Sequence, residues 1–337
     1  MTSSPTQPAG NLAIEDLSVN FRTFEGTLNV LDGISLSIAG GETVGVVGET
    51  GCGKSVLAKS VLGLLPKRTT RYEAGSVLWQ GENLLKAKAR RLRQVRGAQI
   101  GMVFQDPMTF LDPLYTAGSY LLEAIKHRDE VRGRTSARHD RRAEAVALLG
   151  RLGLSEPERT FDSYPGQLSG GMRQRVLIAA AIAGAPKLLI ADEPTTALDV
   201  TVQAQILHIL ADLVSAEGMS IMLISHDLGV IASVCQRIVV MYAGTVVEAG
   251  SKRDVLAMPA HPYTKGLIEA VPKLGYPQQP IKGMAGQTPN LLQRTIGCRF
   301  ADRCPRVGAR CRSEKPNLDA VGIGHKVACF YPERADA

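Results

Sequence analysis

The chain has 337 residues, of which 45% are hydrophobic and 21% charged, with 39 basic side chains against 32 acidic ones. This composition is that of a protein with a buried core, and it excludes the disordered, fibrous and collagen-like classes. Six cysteines are too few for a disulfide-stapled secreted scaffold of this length. At roughly 100–200 residues per domain, the chain has room for two domains.

The amino terminus and the apolar runs exclude two further classes. Residues 1–11 are polar and rich in Pro and Ser, so we expect them to be disordered and not to form a signal peptide. The longest apolar run, Val176 to Ala185, stops after ten residues at Pro186. No transmembrane helix is therefore predicted.

From Leu12 to about Met258, short β-rich runs alternate with helical stretches, which predicts an α/β sheet domain. The predicted strands are Leu12–Val19, Ile34–Ile38, Thr43–Val47, Gln99–Phe104, Leu188–Asp192, Ser220–Ser225 and Arg237–Tyr242.

Two segments depart from this alternation. Residues 105–171 are charge-rich and helical, which predicts a helical insertion whose main helices are Tyr120–His127 and Asp140–Arg151. Residues 259–337 are rich in Pro and Gly and contain four of the six cysteines. We expect this carboxy-terminal segment, called the tail below, to form a separate small domain.

A glycine-rich loop is the strongest local signal. Its sequence fits G-x-x-x-x-G-K-[ST] and consists of Gly48, Glu49, Thr50, Gly51, Cys52, Gly53, Lys54 and Ser55. The loop follows the strand at 43–47 and opens a helix predicted at Ser55–Leu65. Backbone N–H groups and the helix N-terminus favour a phosphate here. Lys54 is predicted to contact the β- and γ-phosphates and Ser55 to ligate Mg²⁺, whereas Cys52 is interpreted as filler.

Polar residues that end other core strands complete a nucleotide-site hypothesis. Asp192 ends one strand and is placed to hold Mg²⁺, and Glu193 follows it, where it can orient and deprotonate an attacking water. His226 follows the strand at 220–225 and can reach the γ-phosphate or hold Glu193. Gln105 follows the strand that ends at Phe104 and is suited to sensing Mg²⁺ and water. Taken singly, each residue also has a structural interpretation, such as a helix cap.

One further motif identifies a family. The segment Leu168-Ser169-Gly170-Gly171-Met172-Arg173-Gln174-Arg175 resembles the signature motif of ATP-binding cassette (ABC) ATPases. Gln105 matches the Q-loop of that family, Ala197-Leu198-Asp199 its D-loop and His226 its switch histidine. The motifs occur in the family's order, and the resemblance covers roughly residues 12–258.

The resemblance implies a fold and a mechanism. The fold would be a P-loop NTPase core sheet with an antiparallel β subdomain and the helical insertion. Two cassettes would pair head to tail, and Ser169, Gly170 and Gly171 of each would close over the ATP held by the other. Glu193 would be the general base, and Asp199 would join the two sites. Phe21 would stack on the adenine, with Phe24 as the alternative.

A second resemblance narrows the subfamily. His261-Pro262-Tyr263-Thr264 resembles the tail of oligopeptide and dipeptide importer ATPases, a subfamily that also handles nickel and glutathione. It implies two transmembrane permease subunits, a second, commonly paralogous ATPase and a solute-binding protein. The chain would lie peripherally at the cytoplasmic face of the inner membrane. The function that the resemblance implies is ATP hydrolysis that energises import of di- or oligopeptides, with nickel or glutathione as the alternative cargo.

A soluble ABC ATPase that acts on nucleic acid or ribosomes is the remote alternative. The basic helix predicted around Lys86–Arg96 could meet phosphates, although a solvated helix face explains it equally simply. The tail carries 12 basic and six acidic side chains, so nearly all of the net charge of +7 belongs to it. The nearly neutral cassette gives no argument for nucleic acid, and no such partner is expected.

Four tail cysteines form the last candidate site. Cys298, Cys304, Cys311 and Cys329 have the spacing C-x5-C-x6-C-x17-C, which differs from the C-x2–4-C pairs of zinc ribbons. In the resembled subfamily, such cysteines are similar to the ligands of a 4Fe–4S cluster. An iron–sulfur cluster is therefore predicted, with zinc and reduced structural thiols as the open alternatives.

Overall fold

The computed structural model describes residues 11–105, 110–195, 200–271, 284–293 and 295–333. These residues divide into two compact units. The first unit contains the described residues up to 38, residues 44–85 and the described residues from 225 onward. The second contains residues 39–43 and the described residues between 86 and 224.

In chain order, the strands are β1 Leu12–Thr23, β2 Gly26–Ile38, β3 Thr43–Val47, β4 Thr70–Trp79, β5 Glu82–Asn83, β6 Ile100–Val103, β7 Leu188–Asp192, β8 Ser220–Ser225, β9 Arg237–Tyr242, β10 Thr245–Ser251, β11 Asp319–Gly322 and β12 His325–Val327. The helices of the described residues are α1 Lys54–Val61, α2 Ala89–Val95, α3 Ala117–Val131, α4 Arg138–Arg151, α5 Pro157–Asp162, α6 Gly170–Ala183, α7 Val200–Glu217, α8 Leu228–Val234, α9 Lys252–Ala257, α10 Pro262–Glu269 and α11 Ala309–Ser313. None of these helices is long and apolar enough to cross a membrane.

The first unit contains an antiparallel sheet with the strand order β2-β1-β4-β5. Leu12, Ile14, Leu17 and Val19 of β1 are all buried, and the register shifts between Ile14 and Leu17. A residue in the left-handed region, Asp16 with φ 47°, lies within that shift. The shift keeps the apolar residues of β1 on the buried face on both sides of the irregularity.

The first unit also contains a mixed sheet to which the tail contributes two strands. Residues 44–47 of β3 pair in parallel with β9, β10 runs antiparallel to β9, and β12 and β11 follow in antiparallel order. The residues from 259 onward therefore belong to the same compact unit as the antiparallel sheet. A separate cysteine-rich domain is not confirmed.

A buried carboxylate joins the tail to this sheet. Glu248 of β10 is fully buried and accepts hydrogen bonds from the backbone N–H groups of Ala260, at 2.7 Å, and His261, at 2.9 Å. Its Oε1 also lies 2.7 Å from Nε2 of His325 in β12. One side chain thus holds the start of α10 and the last strand of the tail on β10.

The second unit contains the parallel strands β6, β7 and β8 and the helices of the insertion. All five residues of β7 are buried, as expected for a strand covered on both faces. Helices α3 and α4 contain the two predicted helices and are joined by a hydrogen bond of 2.9 Å between Arg128 Nη2 and Glu144 Oε2. The α/β fold class, the antiparallel sheet and the helical insertion are confirmed.

Replacing Glu248 by Ala leaves two buried backbone N–H groups and the His325 ring without their acceptor. We expect the free energy of unfolding to fall by about 3–5 kcal/mol, because buried groups lose a charged partner. Urea unfolding followed by circular dichroism measures the change. Glu314→Ala is the control, since Glu314 forms an exposed ion pair with Arg310 and should cost less than about 0.5 kcal/mol. Equal losses for the two variants would contradict the anchoring role of Glu248.

Candidate functional site

The glycine-rich loop of residues 48–55 connects buried strand β3 to α1, which begins at Lys54, one residue before its predicted start. A Cβ atom at Gly48 would lie 2.1 Å from the carbonyl oxygen of Met241. Gly53, which precedes α1, has a φ of 103°, and a Cβ there would lie 2.8 Å from Cδ2 of Leu31. Sterics and backbone conformation therefore require glycine at both ends of the turn.

The positive charge of the loop, the Lys54 ammonium, is hydrogen-bonded to carbonyl oxygens of the loop. Lys54 is only 5% exposed, and its Nζ donates to the carbonyl oxygens of Gly48, at 2.7 Å, and Glu49, at 3.1 Å. Half-buried Ser55 follows in the first turn of α1, whereas Thr50 and Gly51 are exposed. A phosphate that enters the loop would meet a pre-placed ammonium at the N-terminus of a helix.

Cys52 is buried beside Lys54, with its Sγ 3.8 Å from Nζ. Burial raises the pKa of the Cys52 thiol, and the Lys54 ammonium opposes part of that rise. The thiol is therefore neutral at pH 7, as a filler residue should be.

Two tail residues contact the loop, and no motif in the sequence assigns either of them to it. Tyr263 accepts a hydrogen bond from the Glu49 backbone N–H at 2.9 Å, and Arg303 forms a two-armed ion pair with the Glu49 carboxylate. Tyr263 stood out only as part of the subfamily motif. Nothing in the sequence pattern distinguishes Arg303 from the other arginines of the tail.

The second unit places the predicted base and the predicted glutamine together. Nε2 of Gln105 donates to Oε2 of Glu193 at 2.9 Å, although 88 residues separate the two. Glu193 is 9% exposed and has a φ of 49°, in the left-handed region that a glutamate rarely adopts. Its neighbour Asp192 ends β7 and is 2% exposed. Left-handed backbone at a buried acid after a core strand is typical of a functional site.

The signature segment forms an exposed helix start. Ser169 caps α6 by accepting a hydrogen bond from the Met172 backbone N–H at 3.3 Å. Ser169 and Gly170 are exposed, and Gly171 is half-buried against Val202, where a Cβ would lie 3.1 Å from Cγ1. Small exposed residues at the N-terminus of a 14-residue helix suit the approach of an anion.

The other residues predicted to contact the nucleotide lie in separate parts of the chain. Phe21 is half-buried in β1, where it pairs with Leu28 and Thr70, whereas Phe24 lies fully exposed in the β1–β2 turn. His226 is exposed directly after β8, in the first unit. Asp199 lies outside the described residues. The roles of these residues stay predictions.

The four tail cysteines influence one another electrostatically. Burial raises the pKa of the Cys298 thiol to about 11, a backbone N–H bond from Phe300 opposes the rise, and the other three cysteines add to it. Burial also raises the pKa values of Cys304 and Cys329. Sγ of Cys304 and Sγ of Cys329 each accept a backbone N–H bond at 3.4 Å, from Arg306 and Tyr331.

As placed, these thiols do not form a site for a metal ion, so binding a cluster would require the four sulfurs to rearrange. Across the described residues, no group of three or more His, Cys, Asp and Glu side chains is arranged to hold one. Because metals bind thiolates, metal binding at neutral pH would release the thiol protons.

Comparisons with known proteins give a consistent result. Residues 31–196 match the family described as ABC transporter, and residues 247–311 match the one described as oligopeptide/dipeptide transporter, C-terminal region. A probable peptide ABC transporter ATP-binding protein, y4tR of Sinorhizobium fredii, is 45% identical over 320 residues, covering 95% of this chain and 94% of its own. The probable D,D-dipeptide transport ATP-binding protein DdpD of Escherichia coli is 42% identical and covers 98% of both chains. The dipeptide transport ATP-binding protein DppD of Bacillus subtilis is 41% identical, covering 96% of this chain and 95% of its own.

Solved structures are similar to the cassette part. The dimeric structure of MJ0796, a bacterial ABC transporter cassette, matches with a TM-score of 0.64 and 28% identity, covering 72% of this chain and 99% of that one. A post-hydrolysis state of the same cassette, bound to ADP and phosphate, matches with a TM-score of 0.63.

Proposed function

The chain belongs to the ABC transporter family, and we propose that it hydrolyses ATP to drive the import of di- or oligopeptides across a membrane. The hydrogen bond between Gln105 and Glu193 at the end of buried strand β7 is the observation that carries the ATPase assignment. The glycine-rich loop supplies the second element that ATP hydrolysis requires. Peptide cargo rests on the names of relatives that match over more than nine-tenths of this chain.

Binding of the nucleotide rests on the loop. The Lys54 ammonium would contact the β- and γ-phosphates, and backbone N–H groups of the loop would donate hydrogen bonds to the remaining phosphate oxygens. Ser55, Asp192 and Gln105 are proposed as Mg²⁺ ligands, because a hydroxyl, a carboxylate and an amide are the kinds of oxygen donor that this cation prefers. When bound, Mg²⁺ neutralises negative charge that develops on the phosphates.

Glu193 is the proposed general base, which would take a proton from the attacking water. The side-chain amide of Gln105 orients the Glu193 carboxylate by donating to Oε2, so the proposed base is already in position when water arrives. His226 is proposed to hold the γ-phosphate or Glu193 in place, and Phe21 to stack on the adenine.

The signature segment would act on a second ATPase subunit. Ser169, Gly170 and Gly171 would close over the nucleotide held by the partner, with Asp199 joining the two sites in a head-to-tail dimer. The similarity to a cassette solved as a dimer supports this arrangement. We further propose two permease subunits and a solute-binding protein as partners, with the chain peripheral at the cytoplasmic face of the inner membrane.

The four tail cysteines are proposed to bind a 4Fe–4S cluster. Two of the sulfurs, those of Cys304 and Cys329, accept backbone N–H bonds, and this supports the proposal because such bonds are a feature of iron–sulfur sites.

Glu193→Gln should abolish ATP hydrolysis while ATP still binds, because the amide cannot accept the proton of the attacking water. We expect turnover to fall by at least about 100-fold with an unchanged Kd for ATP, measured by phosphate release and equilibrium binding. Glu158→Gln is the matched control, since Glu158 is exposed on α5 of the same unit. Hydrolysis at the normal rate in Glu193→Gln would remove Glu193 from the role of base.

Peptide cargo predicts which molecule is taken up. In cells that depend on this chain, a labelled dipeptide should accumulate with the wild-type chain and not with Glu193→Gln. The same cells are tested with labelled nickel and with labelled glutathione. If uptake of nickel or of glutathione stops in Glu193→Gln while dipeptide uptake continues, that compound and not a peptide is the cargo.

A 4Fe–4S cluster predicts iron and acid-labile sulfide in protein purified without oxygen, with an absorbance band near roughly 400 nm. Cys311→Ser should lose both, whereas Cys235→Ser, at a buried cysteine outside the tail, should keep them. Zinc in place of iron would favour the zinc alternative. Protein free of both metals would mean that the four thiols are structural.

A further inference from the structure

One residue of the glycine-rich loop, Glu49, is held by the tail through both its backbone and its side chain. Its backbone N–H donates to the Tyr263 hydroxyl at 2.9 Å. Its carboxylate receives both arms of the Arg303 guanidinium, with Nη1 2.7 Å from Oε2 and Nη2 3.0 Å from Oε1. Tyr263 is the second residue of α10, and Arg303 ends a short 3-10 turn at 301–303, so two separate parts of the tail converge on one residue.

The two tail residues are fixed more firmly than the glutamate they hold. Tyr263 is fully buried and the Arg303 side chain is 6% exposed, whereas the Glu49 side chain is 27% exposed. Arg303 also donates to the carbonyl oxygens of Ala285, at 3.0 Å, and Met284, at 3.4 Å. The contact is therefore built from the tail side, and Glu49 is the part that it positions.

Aromatic packing adds to this rigidity. The ring of Tyr242, at the end of β9, lies edge-on to those of Tyr263, at 4.7 Å, and Phe300, at 5.1 Å. The Tyr242 hydroxyl accepts a hydrogen bond from Arg303 at 3.3 Å. Edge-to-face aromatic pairs and a two-armed guanidinium–carboxylate pair both fix geometry as well as adding binding energy.

The position of Glu49 matters for Lys54. Nζ of Lys54 donates to the carbonyl oxygens of Gly48 and Glu49, which belong to the peptide units before and after Glu49. These two peptide units therefore set where the ammonium lies. A shift of Glu49 would move these carbonyl groups and the charge that they hold. The tail thus reaches the phosphate-binding charge through one intermediate residue.

We propose that Arg303 and Tyr263 are positioning residues for nucleotide binding, which hold the glycine-rich loop in its phosphate-binding conformation through Glu49. The proposal rests on the proposed function, because it takes the loop to be the ATP site. It gives the tail a part in nucleotide binding that acts through Glu49.

The test is steady-state ATP hydrolysis and equilibrium binding of Mg·ATP by the purified full chain. Arg303→Gln should raise KM and Kd for ATP at least about fivefold and leave kcat within about twofold, because Arg303 touches neither base nor nucleotide. Arg303→Lys, which keeps the charge and loses the second arm, should recover part of the affinity. Tyr263→Phe, which keeps the ring and removes the acceptor, should raise KM in the same direction.

The control and a double substitution separate positioning from folding. Arg312→Gln removes an exposed ion pair with Asp302 in the same tail segment and should leave KM unchanged. Glu49→Gln should raise KM as Arg303→Gln does, and adding Arg303→Gln to it should have little further effect. Thermal unfolding of each variant gives the stability change separately.

Three results would overturn the proposal. They are an unchanged KM in soluble, folded Arg303→Lys and Tyr263→Phe, an equal KM rise in Arg312→Gln, and fully multiplicative effects of Glu49→Gln and Arg303→Gln. Failure of the proposed function gives a different result, since a wild-type chain that neither binds nor hydrolyses ATP would refute the ATP site itself. If the wild-type chain binds ATP and the Lys54→Ala variant does not, the loop is the ATP site, whatever the tail variants do.

Discussion

The path of the glycine-rich loop is the constraint on which the rest of the first unit depends. A loop that surrounds a phosphate must turn tightly, which side chains larger than that of glycine would obstruct. It must also keep an ammonium nearly buried, which costs free energy of desolvation. The chain meets the first with Gly48 and Gly53, at positions where a Cβ would collide with Met241 and Leu31. It meets the second by bonding Lys54 to two carbonyl groups of the loop.

The tail is part of the same solution. Glu248 holds the start of α10 and strand β12 on β10. Tyr263 of α10 and Arg303 of the turn at 301–303 then contact the loop. A segment that looks like an appendage in the sequence therefore completes the unit that contains the loop. The second unit faces a different constraint, since the proposed base, Glu193, is buried and must still be oriented, and the hydrogen bond from Gln105 fixes its carboxylate.

The sequence predicts those parts of the fold whose signal is local. Strands β3, β7, β8 and β9 are continuous apolar runs and were predicted with their observed bounds. Strand β4 is not predicted because half of its residues are exposed and its apolar run is confined to the last three, and β11 and β12 are not predicted because they are short and gain stability only by pairing with distant strands. The loop and the acid pair follow from spacing. The contacts of Glu49 with the tail join residues more than 200 positions apart, and no pattern along the chain encodes them.

A structure of the full Glu193→Gln chain with Mg·ATP bound tests the central claim most directly. The account predicts that the phosphates lie against the backbone of residues 48–55 and Nζ of Lys54, while Glu49 keeps its contacts with Tyr263 and Arg303. A nucleotide bound elsewhere, or a phosphate-filled loop in which Glu49 has left both tail residues, would contradict it.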